Sequence, residues 1–247
     1  MLNYPMKFVH ITIGQGLLIL ALLLAFALRF ADLGAAPLSD FEADRALQAL
    51  GVSNGTSGDM TPGPAYALLT GIIFFLFGDD NVTARALPAI AGILLLSMPF
   101  ILRSRLGSRI VIILAFGLAL DPGLVVLSRL AGSSMLAAGF GLLAFGLACS
   151  SRPVLAGVFG GLALLSGPEA LHGLLSIGLA GGLGYLLTRQ DKLEPLWIRS
   201  SETLPGSTWR SGLLAAFGMV VFAGTLLLRF PDGLGSFGGI LPAYLNG

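Results

Sequence analysis

The chain has 247 residues, of which 55% are hydrophobic and 11% charged, less than half the charged share of an ordinary soluble domain. That balance excludes disorder and a soluble α/β fold, and a formal charge of +1 leaves no broad basic face to hold nucleic acid. One cysteine, Cys149, and two histidines exclude an internal disulfide and a Cys/His zinc cluster.

The first apolar run, residues 11–28, follows Lys7 and precedes Arg29 and a turn-like stretch to Pro37. Its 18 residues exceed the roughly 7–15 of a signal-peptide core. It therefore reads as an uncleaved first span with a cytoplasmic amino terminus, against the rival reading of a signal peptide cut near Ala35 and Ala36. A short amphipathic helix is expected over residues 42–50 and an apolar one over 64–77, opened by Pro62, Gly63 and Pro64. Further apolar runs cover residues 86–102, 110–127, 135–149, 154–165, 170–187 and 213–228. Glycines cluster within them, notably Gly157, Gly160 and Gly161, where small residues let helices approach closely in lipid.

Lysine and arginine collect in short cytoplasmic loops, so they arbitrate the count of crossings. If all eight runs cross, the fourteen basic residues divide seven to seven. If residues 64–77 do not cross, nine fall inside (Lys7, Arg103, Arg105, Arg109, Arg152, Arg189, Lys192, Arg199 and Arg210) and five outside. The 64–77 run is also only 14 residues, short for a span of about 20. The expectation is an all-α polytopic membrane protein, residues 1–247 forming one module of seven transmembrane helices. Its external loop, 29–85, carries two juxtamembrane helices, 42–50 and 64–77; a connector, 188–211, is cytoplasmic, and the tail, 229–247, external. This places it in a plasma (inner) membrane with its carboxy terminus outside.

Chemistry is sought among the outer acids and arginines. Asp40, Glu42 and Asp44 lie just after the first span, where a carboxylate could act as general base or hold a divalent cation. Ser39 and Glu42 also have the spacing of a capping box, which would give them a purely structural task. Arg129 could hold a phosphate by bidentate hydrogen bonds or reach lipid headgroups, and Asp121, inside the same span, could pair with Arg129 or Arg85. His172 is a packing histidine or a pigment or haem ligand. Asn54-Gly-Thr56 and Asn81-Val-Thr83 match the glycosylation sequon.

The order of Arg29-Phe-Ala-Asp-Leu-Gly, Pro37-Leu-Ser-Asp-Phe-Glu-Ala, Pro62-Gly-Pro-Ala-Tyr, Ala84-Arg-Ala-Leu-Pro, Arg103-Ser-Arg-Leu-Gly and Leu127-Ser-Arg resembles the GT-C superfamily of membrane glycosyltransferases. The likeness is to the amino-terminal seven-span module of the protein O-mannosyltransferase and aminoarabinose transferase group, glycosyltransferase family 39. It implies a polyprenyl-phosphate-linked sugar donor, inverting transfer of a hexose or pentose at the outer face, and membrane lipids as surroundings. By this resemblance Glu42 or Asp40 activates the acceptor, Arg129 or Arg45 holds the donor phosphate, and Asp121 and Arg85 support them, with a divalent metal cation as an optional cofactor. The family's Asp-Glu-Ala is Phe41-Glu42-Ala43 here, with Asp40 one residue early, and its acid after Ser-Arg is missing from Gly132-Ser133-Ser134. The alternative is a non-catalytic GT-C-derived scaffold or lipid-binding subunit, with other membrane subunits supplying helices that relatives carry beyond the seventh span.

Overall fold

Thr12 starts the first helix: its N–H donates to the Gln15 carboxamide oxygen at 2.9 Å, and the Gln15 N–H reaches back to the Thr12 hydroxyl at 3.4 Å. From there α1 (Ile13–Phe30) runs through an almost unbroken apolar stretch. The computed structural model describes residues 12–56, 63–173, 175–176, 179, 182–183, 206–225 and 235, and all regular structure among them is helical. Residues 1–11, most of the expected 170–187 run and nearly all of the 229–247 tail lie outside the described residues.

Helix α2 (Asp40–Ser53) begins two residues before the expected 42, directly after the capping residue Ser39, and continues three residues past the expected end, where Val52 packs against Gly71 of the next helix. Helix α3 (Pro64–Phe77) keeps its expected bounds. Pro64 occupies a first-turn position that needs no N–H donor, and Gly78, at φ 90°, turns the chain away after Phe77. Helix α4 (Asn81–Leu95) is capped by Asp80, which accepts from the Thr83 N–H at 2.6 Å. It runs on through α5 (Ser97–Ile101) as one apolar helix of 21 residues. After α6 (Arg103–Leu106) come α7 (Ser108–Leu120) and α8 (Pro122–Ser128), bent by 55° at Asp121 and Pro122. The proline cannot continue α7 but suits the first turn of α8, whose Leu124 N–H is capped by Asp121 at 2.8 Å. Helices α9 (Ser134–Cys149), α10 (Pro153–Leu165) and α11 (Gly206–Gly224) follow. Helix α11 starts inside the expected 188–211 connector, directly after Pro205, because nothing between Gly206 and the apolar run breaks the helix.

Among the described residues two helices, Ile13–Phe30 and Asn81–Ile101, are long and apolar enough to cross a membrane, and the bent α7–α8 pair makes a third if counted as one span. The helices 64–77, 134–149, 153–165 and 209–224 are apolar but shorter.

Helix contacts sort the chain into two ends. At one, Arg85 in the first turns of α4 donates to the carbonyls of Leu33, Ala36 and Pro37, just past α1, and Ser134 at the start of α9 bonds Glu169, just past α10. At the other, Gly14 near the start of α1 lies against Ser108, Ser150 past α9 donates to the Ile101 carbonyl, and Gly212 of α11 abuts Pro153 at the start of α10. Helix α1 thus ends where α4 begins, so α2 and α3 together make no net passage from one end to the other. The Tyr66 hydroxyl, donating to the Ala84 carbonyl at 2.7 Å, gives the same result. In an antiparallel hairpin with α4, Tyr66 would lie about 16 Å along the axis from the end of α3, far beyond Ala84. Helix α3 instead lies across the start of α4, its first half buried and its tip, Phe75 to Phe77, exposed.

Candidate functional site

The acids and arginines expected outside gather at the first of these ends, but largely upon one another. Glu42, only 2% exposed, is the hub. Its Oε1 accepts from Arg85 Nε at 2.7 Å and from the Ala131 N–H at 2.9 Å. Its Oε2 accepts from the second Arg85 nitrogen and from both the N–H and the hydroxyl of Ser39, each at 3.0 Å. Arg85 uses its remaining donors on Leu33, Ala36 and Pro37 at 2.8–3.1 Å, so all five N–H groups of the guanidinium are engaged. One ion pair therefore ties together the α1–α2 link, α2, α4 and the loop before α9. The local reason is the Ser39–Glu42 spacing, which starts α2 with the Glu42 carboxylate folded back onto Ser39.

Burial pushes the Glu42 pKa up, but the Arg85 guanidinium and the Ala131 and Ser39 donors outweigh it and hold it down at about 2, below its ordinary 4.5. Such a carboxylate is a poor general base at neutral pH, and its lone pairs are occupied. Because the folded value lies below the unfolded one, its contribution to stability is complete above the ordinary value and is lost as pH falls toward 2. Thermal unfolding of the solubilised protein followed at decreasing pH should show a loss between about pH 4.5 and 2 that Glu42→Gln does not share.

The other expected site residues are dispersed. Asp40 is exposed in the first turn of α2. Phe41, at the position where the resemblance expects an aspartate, is 58% exposed; Arg45, itself buried, lies over its ring at 5.1 Å and Gly132 beside it. Arg129 donates to the carbonyls of Leu28 at 2.8 Å and Asp32 at 3.4 Å, capping the end of α1. Asp121 caps α8 and pairs with neither Arg129 nor Arg85; the charge it faces is Arg29. His172 is exposed just beyond Glu169. Among the described residues no three His, Cys, Asp or Glu side chains come close enough to hold a metal ion.

Sequence reasoning missed Arg29. It is fully buried, and donates to the carbonyls of Ala25, Leu118 and Ala119 at 3.0–3.3 Å, thereby capping α7. Gly92 makes this possible, since a Cβ there would meet Arg29 Nε at 2.7 Å and Ser128 Cβ at 2.8 Å. Arg29 and Arg129 so form a reciprocal clasp, each closing the carboxy end of a helix in the other's neighbourhood. A glycine in an otherwise apolar helix was the available signal.

No family model, curated protein or solved structure matches the chain.

Proposed function

We propose that this chain is a GT-C-like membrane module of seven spans that keeps the helical frame of a polyprenyl-phosphate-sugar glycosyltransferase without its acid–base centre, and serves as a scaffold or lipid-binding subunit of a larger membrane assembly. The observation that carries this reading is the complete occupation of Glu42 by five donors. A phenyl ring stands at the preceding exposed position, and it can neither accept a proton nor bind a cation as a carboxylate does. The absence of net passage over α2 and α3 supports the seven-span count and hence the kinship.

A second reading, an inverting transferase, is favoured by the exposure of Asp40 on the same end as Arg129. There Asp40 would take the acceptor proton and Arg129 would leave its carbonyl partners for the donor phosphate. Transfer from a radiolabelled polyprenyl-phosphate sugar in proteoliposomes decides between the two. The scaffold reading expects no incorporation above that of Asp40→Asn; incorporation that Asp40→Asn abolishes establishes the transferase.

The orientation has its own check. In a Cys149→Ser background, Ser104→Cys should react with an impermeant thiol reagent only from the cytoplasmic side and Asp44→Cys only from outside. Reaction of both from one side would remove the seven-span arrangement.

A further inference from the structure

We infer that the end of the protein carrying Arg103, Arg109, Arg152 and Arg210 is a binding belt for the headgroups of anionic phospholipids. All eight acids among the described residues, Asp32, Asp40, Glu42, Asp44, Asp79, Asp80, Asp121 and Glu169, belong to the opposite end. The arginines of that opposite end are folded inward or spent on carbonyls: Arg29, Arg45 and Arg85 are buried, and Arg129 caps α1. Arg103, Arg109, Arg152 and Arg210 are all exposed, and none has a carboxylate within ion-pair distance among the described residues.

They are also brought into one band. Arg103 opens the short α6 and Arg109 lies in the first turn of α7, and the Ser150 hydroxyl bonded to Ile101 draws the α9–α10 turn, with Arg152, alongside. Gly212 against the Pro153 carbonyl brings Arg210 to the same level. Each of three arginines is followed within about one turn by exposed apolar side chains: Arg109 by Ile110 and Ile113, Arg152 by Val154 and Leu155, Arg210 by Leu213 and Leu214. A guanidinium one turn from lipid-exposed aliphatic surface matches the boundary between phosphate and acyl chain, and its planar fork engages a phosphate with two parallel hydrogen bonds. The inference rests on membrane placement, and stands or falls apart from any kinship to glycosyltransferases.

The test uses the full chain in nanodiscs of mixed phosphatidylglycerol and phosphatidylcholine, with the protein-associated lipid measured by native mass spectrometry. Enrichment of phosphatidylglycerol is expected, weakening as salt rises, with about fivefold loss of preference for each exposed arginine removed. The variant Arg103→Gln/Arg109→Gln/Arg152→Gln/Arg210→Gln should lose the enrichment, while the same four changes to Lys, which keep the charge, should retain most of it. Undiminished enrichment in the Gln variant, or none in the unaltered protein, overturns the inference. Should the Gln variant fail to fold, the salt series on the unaltered protein decides, and enrichment indifferent to salt overturns it.

Discussion

Arg85→Met is expected to destabilise the protein by about 3–5 kcal/mol, the cost of leaving a buried carboxylate without its cation. Glu42 would keep its Ser39 and Ala131 donors but lose both guanidinium bonds, and the carbonyls of Leu33, Ala36 and Pro37 would lose theirs. Glu42→Leu should be nearly as damaging, since it strands the guanidinium. The double variant Glu42→Leu/Arg85→Met should recover part of the loss, because no buried charge is left alone, but not all of it, because three carbonyls and the Ala131 N–H still lack partners. Thermal unfolding in detergent of the two single variants, the double variant and the parent completes this cycle. A double variant that loses the sum of the two single losses would show that the pair is not the coupled unit described.

Gly157→Val is expected to force α10 and α11 apart. The Gly212 carbonyl lies directly on Gly157, and one turn further on a Cβ at Gly161 would meet the Ala216 carbonyl at 2.8 Å and Met219 Cβ at 3.0 Å. The obstacles are largely backbone, so no rotamer change relieves them, and overpacking of this kind costs about 1–3 kcal/mol. Gly218→Ala in α11, with nothing within 4 Å of its Cβ, is the contrasting case and should be neutral or slightly stabilising through helix propensity. Hydrogen exchange over 206–224 would register the first change as faster exchange and leave the second unaltered; equal rates in both would mean that the close approach of these helices is not maintained.

Most helix positions were legible because their punctuation is local. Pro64 and Gly78 bracket α3 and Ser39 with Glu42 starts α2, whereas the bend at Asp121 and Pro122 divides the single run expected over 110–127. The charge count sets α3 apart as a helix that does not cross; in the structure α3 is apolar but short, and the end of α1 meets the start of α4. What the sequence did not disclose are the long-range partners. Glu42 and Arg85 are 43 residues apart, and Arg29 and Ala119 are 90 apart. No periodicity couples such positions. Arg29 looked like the polar boundary of a span, whereas neighbouring carbonyls and the space left by Gly92 allow it to be fully buried. The candidate site suffered for the same reason: Glu42 carried two meanings in sequence, and only the distant Arg85 and Ala131 distinguish them.

The arginine clasp bears on how the protein is made. Arg29 leaves the ribosome 90 residues ahead of Ala119, and Leu28 precedes Arg129 by 101. Until the bent helix pair is synthesised, the first helix carries a cation in its last turn with no carbonyls from α7 to receive it. The packing of the first helix is therefore completed late, by an element synthesised some 90 residues afterwards.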